Sequence, residues 1–193
     1  NRRLPAEWEP QDAILLVWPH ERTDWSPMLA DARRTVQAII EAIERFESVM
    51  LIRSDTWDVP TNDTWARDFG PITIEENGLP VLLDFTFTGW GGKFAAEKDN
   101  AVNRKLQGAG AFGTTVLRTV DLILEGGSIE SDGQGTLLTT TRCLLNPNRN
   151  SHLSREQIEE RLKSELGVTN ILWLHYGHLV GDDTDAHIDT LAR

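Results

Sequence analysis

Two short turn signals constrain the fold of this chain more than any other feature. Asn77-Gly78 and Asp132-Gly133 each separate two runs of strand-forming residues, and dipeptides of this type favour the tight turns of β-hairpins. Each hairpin is followed by a helical segment and then by one further strand. The order hairpin, helix, strand therefore occurs twice, which predicts an α/β protein built from repeated ββαβ units.

The segments around the hairpins carry their own start and stop signals. A strand–helix–strand unit comes first, with strands at residues 13–18 and 49–53 and a helix that begins at Ser26 and Pro27. A second helix is expected near residues 95–107. In the later unit, Ser154 and Gln157 form a capping-box pattern, and Gly167 is expected to end that helix. The remaining strands are predicted at residues 116–120 and 171–175.

An acidic residue beside glycine introduces each hairpin, namely Asp68 in RDFGPITI and Glu125 in LEGGSIES. A further interval of about sixty residues leads to His187, before another strand-like stretch, HIDTL. If the units surround one axis, these residues and Asp189 converge. Carboxylates with no basic partner in the motif suit a planar guanidinium cation. A histidine in their field would be more readily protonated and could serve as general acid and base.

Each of these residues also has an ordinary structural interpretation. Asp68 directly follows Arg67, and an isolated Arg-Asp pair of this kind is usually structural. The acidic residues near the end of the chain could form a solvated turn. Alternation along a strand would nevertheless place Asp185, His187 and Asp189 on one face. A divalent metal at these residues, with His178 nearby, is the competing hypothesis, but no paired Cys or His spacing elsewhere completes such a site.

The composition narrows the classes of partner and compartment. Thirty acidic residues against nineteen basic ones give a net charge of −11, which argues against nucleic acid or an anionic membrane as a partner. No run approaches the roughly 18 consecutive apolar residues of a membrane span. Cys143 is the single cysteine, so a reducing, cytoplasmic setting is expected. It follows the second hairpin, on the far side from Glu125, and is expected to pack inertly.

Five longer motifs run in order along nearly the whole chain: PTNDTWARDFGP (60–71), DFTFTGWGGKF (84–94), LEGGSIESDGQGTLLTT (124–140), CLLNPNRN (143–150) and GDDTDAHIDTLAR (181–193). Together they resemble the agmatine deiminase family, also called the Porphyromonas-type peptidyl-arginine deiminase family. The resemblance implies the pentein fold, an α/β propeller of five ββαβ blades around a central active site. Residues 1–193 would be a single catalytic domain, incomplete at its C-terminus, with about three of the five blades.

The same resemblance implies a hydrolase that acts on a C–N bond of a linear amidine, without a metal or other cofactor. A cysteine thiolate would attack the guanidinium carbon, ammonia would leave, and water would release a ureido product from the thiouronium intermediate. The implied partner is a small cationic guanidino substrate. For agmatine the product would be N-carbamoylputrescine, a step of putrescine and polyamine formation. The resemblance leaves the oligomeric state open, with a homo-oligomer as one alternative.

The family's functional residues map onto this sequence one at a time. The aspartate of the WxRDxGP motif falls on Asp68, with Trp65 in the same motif, and the second guanidinium-binding carboxylate falls on Asp189. The acid of the EGG motif falls on Glu125 and the catalytic histidine on His187. The two aspartates would clamp the guanidinium, while the histidine and the glutamate would handle protons.

The substrate and the nucleophile remain open at this point. Asp182 and Asp183 are available to bind the distal amine of agmatine, whereas peptidyl-arginine or free arginine would call for a basic or amide group there. The family's nucleophilic cysteine lies in a Gly-rich motif farther along than Arg193, so Cys143 does not match it and the chain alone is expected to be inactive. A non-catalytic cation-binding module is the alternative. The segment before Pro60 is also shorter than the family pattern.

Overall fold

The computed structural model describes residues 1–192, so the last residue of the predicted domain, Arg193, lies outside the described residues. The strands of the described chain are β1 (Arg2–Arg3), β2 (Ala13–Val17), β3 (Ser48–Ile52), β4 (Ile72–Glu76), β5 (Leu79–Thr86), β6 (Val116–Ile123), β7 (Ile129–Ser131), β8 (Thr136–Thr140) and β9 (Asn170–Leu174). The α-helices are α1 (Leu29–Ile43), α2 (Ala66–Phe69), α3 (Gly89–Gly92), α4 (Val102–Gly108), α5 (Thr141–Leu144) and α6 (Arg155–Leu166). Short 3-10 turns occupy Ser26–Met28, Asp99–Ala101, Gly126–Ser128 and Ile188–Thr190.

The first unit is the predicted strand–helix–strand arrangement. β2 and β3 pair in parallel as a separate sheet, and α1 connects them. The predicted N-cap Ser26 makes no capping hydrogen bond through its side chain, because a 3-10 turn that contains Pro27 precedes α1. Of the apolar stripe of α1, only Ile40 is buried. No helix in the described part of the chain has the length and apolar character needed to cross a bilayer.

The first hairpin unit confirms the ββαβ prediction. β4 and β5 are antiparallel, and Asn77 and Gly78 between them have φ angles of 53° and 81°, as their turn requires. β6 then returns parallel to β5. The intervening helix is shorter than the predicted span 95–107, because Asn62 Oδ1 accepts the backbone N–H groups of Lys98 and Asp99 and so caps the start of the 3-10 turn.

The second hairpin unit repeats this topology. β7 and β8 are antiparallel and β9 is parallel to β8. The capping box at Ser154 and Gln157 is present, and Gly167 ends α6 with a left-handed φ of 72°. These local signals are therefore confirmed as read from the sequence.

The core stacks these units against one another. α6 buries Ile158, Leu162 and Leu166 in one apolar cluster with residues of β5, β6 and β8. A second cluster joins Val102 and Leu106 of α4 to the β2–β3 sheet. The segments that lead into the two hairpins contact each other, with α2 against the 3-10 turn Gly126–Ser128, and the candidate site lies where they meet.

Candidate active site

Three polar side chains converge on one point beside Gly127. A Cβ atom placed on this residue would lie 2.6 Å from Asp68 Oδ1, 2.6 Å from Asp189 Oδ2 and 2.7 Å from His187 Nδ1. Only glycine leaves that point empty. A Cβ on the neighbouring Gly126 would collide with the backbone oxygen of the residue before Asp68, so this glycine allows two chain segments to touch. The structure thus places three of the four predicted catalytic residues around this point, and the fourth, Glu125, lies next to His187.

Asp68 lies in α2 and receives its hydrogen bonds from neutral donors. Trp90 Nε1 donates to its Oδ2 at 2.9 Å and the backbone N–H of Gly127 donates to its Oδ1 at 3.1 Å. The imidazole Nδ1 of His187 lies 3.4 Å from the same Oδ1. Burial raises the pKa of Asp68 to about 7, against the hydrogen bond from Trp90, and the charge of Glu125 raises it further.

Glu125, the fourth predicted catalytic residue, is bound to a cation within the fold. The side chains of Glu125 and Arg149 are both fully buried, and Arg149 Nε lies 3.0 Å from each carboxylate oxygen. Arg149 Nη1 also donates to Asp185 Oδ2 at 2.7 Å. The motif around Glu125 has no basic residue of its own, and Arg149 supplies the basic partner from outside it. Arg149 comes from the CLLNPNRN motif, far from the other site residues in sequence.

The protonation expected for His187 is also wrong. Burial lowers the pKa of its imidazole to about 3, and the positive charge of Arg149 lowers it further, against the nearby aspartates. The sequence pattern indicates neither the burial of the His187 imidazole nor the position of Arg149 beside it. His187 Nε2 is buried and has no hydrogen-bond partner within residues 1–192. At neutral pH the site therefore holds a neutral imidazole that can accept a proton.

The chain around His187 forms a tight turn followed by a 3-10 turn, and not the strand predicted at HIDTL. Asp182 accepts hydrogen bonds from the backbone N–H groups of Thr184 at 2.8 Å and Ala186 at 2.7 Å, and Thr184 Oγ1 accepts from His187 N at 3.0 Å. Asp185 and Ala186 have left-handed φ angles of 68° and 65°. A 3-10 turn follows. The side chains of Asp182 and Thr184 accept the backbone N–H groups that would otherwise bind to a neighbouring strand, so the predicted strand face does not form.

Asp189 is half-buried in this final 3-10 turn. Its Oδ2 lies 4.0 Å from Arg67 Nε, and burial raises the pKa of the Asp189 carboxyl. Arg67 is shared with two other carboxylates, since it also pairs with Glu7 and lies 3.6 Å from Glu130 Oε1. The Arg67 guanidinium thus lies near three carboxylates, none of which is that of its sequence neighbour Asp68.

The other predicted substrate-binding residues differ in accessibility. Trp65 is 43% exposed and its ring lies 5.9 Å from that of Trp25. Asp183 is exposed. Asp182 is partly buried, and its carboxylate is already occupied by the turn described above. Of the two acids proposed for a distal amine, Asp183 is therefore the one whose side chain is free of such turn contacts in the described chain.

Cys143 lies closer to the site than its sequence position indicated. Its sulfur, one ligand atom of Glu125 and one of His187 lie within 4.8 Å of one another. The expectation that it lies away from Glu125 is wrong, because α5 turns back directly after β8. Burial strongly raises the pKa of the thiol. The three residue types could in principle ligate a metal, but Arg149 places a positive charge on the Glu125 carboxylate and disfavours a second cation there.

Sequence reasoning missed three residues that shape the site, Trp90, Gly127 and Arg149. All three lie in motifs that the sequence displays, GWGGKF, LEGGSIES and CLLNPNRN. The available signal was their presence in polar, glycine-rich segments outside the strands and helices. Their partners could not be identified, because each contact joins segments that are far apart in the sequence.

Comparison with known proteins places this geometry in a family. An agmatine deiminase of Stutzerimonas stutzeri is 39% identical over 208 residues, covering 96% of this chain and 56% of that protein. One of Pseudomonas aeruginosa is 38% identical, with 97% and 56% covered. The chain thus spans somewhat more than half the length of these relatives.

Solved structures agree with this comparison. A Cys-to-Ser variant of the C. jejuni agmatine deiminase with substrate bound superposes with a TM-score of 0.93 and 43% identity, over 99% of this chain and 61% of the other. The Enterococcus faecalis agmatine deiminase gives 0.85 and 31%, over 97% and 56%. A dimethylarginine dimethylaminohydrolase, 13% identical with a TM-score of 0.52 over 86% and 62%, shares the fold alone. Residues 3–193 match the model of the Porphyromonas-type peptidyl-arginine deiminase family, and the chain belongs to this family, with the α/β fold of the pentein-type deiminases.

Proposed function

We propose that this chain carries the guanidinium-binding part of a hydrolase that converts agmatine and water to N-carbamoylputrescine and ammonia. The observation that carries the proposal is the convergence of Asp68, Asp189 and His187 on the empty point beside Gly127. Paired carboxylates match the N–H groups of a planar guanidinium. The relatives named agmatine deiminase support the choice of agmatine.

We also propose that the sheets described here are blades of a five-bladed pentein propeller, with the site on its axis. The repeated ββαβ topology supports this arrangement, and about three blades are represented. The residues 1–193 would then belong to a single catalytic domain, which functions in the cytoplasm in polyamine formation. A structure of the full-length protein tests this, and two separate domains in place of one closed ring would contradict it.

Asp68 and Asp189 would bind the guanidinium from two sides. Asp68 lacks a cationic side chain on its carboxylate within the described residues, and its raised pKa of about 7 reflects the cost of a buried negative charge without one. A bound guanidinium would supply the missing positive charge and favour the carboxylate form. Ligand binding near neutral pH would therefore release part of a proton from Asp68.

His187 would carry the protons of the reaction. As a neutral imidazole it takes the proton of the attacking thiol, and as imidazolium it passes that proton to the departing nitrogen, so that ammonia leaves as the C–S bond forms and the C–N bond breaks. It then deprotonates the water that cleaves the thiouronium intermediate. Both oxygens of Glu125 already accept from Arg149, so we assign to Glu125 a fixed negative charge that stabilises the imidazolium.

The nucleophile of this reaction is proposed to be a cysteine other than Cys143. The Cys143 thiol is buried and its pKa is strongly raised, which disfavours the thiolate that nucleophilic attack requires. The 193-residue chain alone is then inactive. Turnover by this chain that Cys143→Ala abolishes would overturn this assignment.

The choice among guanidino substrates depends on the groups near the exposed end of the site. Trp65 offers an aromatic face and Asp183 a negative charge, which suit the hydrocarbon chain and distal amine of agmatine. Arginine and a peptidyl-arginine bring a carboxylate or an amide to the same place. We expect kcat/KM of the full-length protein to be highest for agmatine, and a blocked arginine peptide that is turned over faster would favour peptidyl-arginine deimination.

Calorimetry with agmatine separates a binding site from an inert surface. Wild-type protein should bind, and the double variant Asp68→Asn/Asp189→Asn should not. Equal binding by both would remove the carboxylates from the proposal. Binding without any ureido product from the full-length protein would instead support a non-catalytic cation-binding module. Elemental analysis of the purified protein tests the metal alternative directly.

A further inference from the structure

Two strained segments face each other across the candidate site. The glycine loop, residues 89–94, has left-handed φ angles at four successive residues from Gly89 to Gly92, including Trp90 at 54°. The acidic turn, residues 182–187, has them at Asp185 and Ala186. Such conformations in side-chain-bearing residues cost roughly 1–3 kcal/mol each and persist only where surrounding contacts hold them.

Lys93 joins the two segments to each other, while Arg149 separately holds the acidic turn through Asp185. Lys93 Nζ lies 2.7 Å from Asp185 Oδ1 and donates to the backbone oxygen of Asp183 at 2.7 Å. Asn148 supports the same junction, since Nδ2 donates to Asp185 Oδ2 at 3.1 Å and a Cβ on Gly91 would collide with its side chain. The glycine loop is therefore attached to the acidic turn by one lysine and one asparagine.

Each segment supplies one side chain that contacts the Asp68 carboxylate, and the two side chains contact different oxygens. Trp90 of the glycine loop donates to Asp68 Oδ2, and His187 of the acidic turn lies next to Asp68 Oδ1. The contacts thus form a closed ring that runs from Asp68 through Trp90, Lys93 and Asp185 to His187 and back. The Lys93–Asp185 pair closes this ring at its accessible side, where the Lys93 side chain is 35% exposed.

We propose that Lys93 is a positioning residue that fixes Trp90 and His187 together on Asp68. This inference rests on the proposed function for its kinetic consequence, but the coupling between the two segments is a property of the chain itself. Its ammonium group does not enter the point beside Gly127. It acts through Asp185 on the backbone that presents His187, and through the glycine loop on the indole that holds Asp68 Oδ2.

The first test is hydrogen exchange on full-length protein with the Lys93→Met variant, which keeps the length of the side chain and removes its charge. We expect faster exchange in the acidic turn and in the glycine loop together. Lys163→Met is the matched control, because Lys163 is a similarly exposed lysine 3.9 Å from Glu159 on α6. It should leave both segments unchanged. Unchanged exchange in Lys93→Met would overturn the proposal.

The second test is kinetic. Displacement of catalytic groups by about 1 Å can cost on the order of a hundredfold in rate. We expect Lys93→Met to lower kcat/KM for agmatine by about 10- to 100-fold through kcat more than KM, with its thermal midpoint close to that of Lys163→Met. Lys93→Arg, which keeps the charge, should recover most of the loss. An unchanged kcat/KM, or an equal loss in Lys93→Arg, would overturn the role of the ion pair.

The two tests keep this inference separate from the proposed function. If the wild-type protein turns over none of the guanidino substrates, the proposed function fails, and hydrogen exchange alone decides whether Lys93 couples the two segments. If the wild type is active and Lys93→Met behaves like Lys163→Met in both tests, the proposed function stands and this inference fails.

Discussion

The two hairpin units share one topology but use their opening acids differently. Asp68, before the first hairpin, accepts hydrogen bonds from the Trp90 indole and a backbone N–H, both of which are neutral donors. Glu125, before the second, is bound on both oxygens by the buried guanidinium of Arg149. Equivalent positions in the repeat therefore hold carboxylates in different electrostatic states.

The partner of an acid, and not its place in a repeat, therefore decides whether a ligand can bind to it. Arg149 on Glu125 is an example, inside the fold, of a guanidinium bound by a buried carboxylate. Asp68 has a similar burial without the cation, and its pKa is accordingly raised to about 7. A guanidinium ligand would supply to Asp68 the kind of contact that Arg149 supplies to Glu125.

The largest expected effect comes from breaking the internal pair. Arg149→Met would leave the negative charges of Glu125 and Asp185 buried without their cation, which typically costs about 3–5 kcal/mol of unfolding free energy. Urea unfolding of the full-length protein measures this loss. Arg34→Met, at an exposed arginine paired with Asp31, should change stability by less than about 0.5 kcal/mol.

A second variant separates charge from packing at the same place. Glu125→Gln added to Arg149→Met removes the uncompensated charge of Glu125 and should recover part of the lost stability. A double variant as unstable as Arg149→Met would show that the loss came from the volume of the arginine side chain, and the electrostatic contrast between the two acids would lose its support.

The hairpins and caps could be predicted because their signals are local. Asn77-Gly78 fixes its turn through residues that tolerate positive φ, and Ser154 with Gln157 caps a helix through contacts three residues apart. The same reasoning failed at residues 185–189, where the alternation of Asp185, His187 and Asp189 indicated a strand face. There the Asp182 and Thr184 side chains bind the N–H groups, and this competition leaves no periodic pattern.

The identity of the site residues could be predicted from the sequence, but their protonation states could not. The spacing of Asp68, Glu125 and His187 indicated convergence, and resemblance to the family gave the same residues. The sequence predicts the wrong direction for the pKa of His187, because that pKa depends first on burial and then on the charge of Arg149. Arg149 reaches Glu125 across 24 residues of sequence, and neither composition nor spacing indicates such a contact.

Replacement of Gly127 tests the empty point beside Asp68. Gly127→Ala would place a methyl group 2.6 Å from two carboxylate oxygens and 2.7 Å from an imidazole nitrogen. We expect agmatine binding to be lost in calorimetry and stability to fall by about 1–3 kcal/mol. Gly108→Ala, where a Cβ would meet no atom within 4 Å, should be neutral. Normal agmatine binding by Gly127→Ala would contradict the proposed location of the guanidinium.

The missing cation on Asp68 should also be visible in stability. Because the native pKa of about 7 is raised above the ordinary value of 3.8, Asp68 contributes stability below about pH 4 that is lost as pH rises through 7. Asp68→Asn removes this titration, so its stability relative to wild type should rise by about 4 kcal/mol between pH 4 and pH 8. Thermal unfolding at several pH values measures the difference.

Asp84→Asn provides the opposite case for this test. Asp84 is a buried aspartate that has its cation, with Oδ2 2.5 Å from Arg104 Nη1 and Oδ1 accepting from Asn103 Nδ2. Its replacement should destabilise the protein by about 1–2 kcal/mol at pH 8. If both asparagine variants were destabilising at pH 8, the two aspartates would be electrostatically alike. The proposal that the Asp68 carboxylate is buried without a cationic partner would then be refuted.

The smallest expected effect concerns how the helices of the two hairpin units begin. α6 has the Ser154 side chain on the Gln157 N–H, whereas α4 follows a 3-10 turn and has no side-chain capping bond of its own. Ser154→Ala should cost about 1 kcal/mol of unfolding free energy. Ser26→Ala is the matched control, because Ser26 precedes a helix without capping it, and it should cost almost nothing. Equal losses of stability in the two variants would show that the capping hydrogen bond of Ser154 does not stabilise α6. The longer helix of the second unit would then depend only on the packing of Ile158, Leu162 and Leu166.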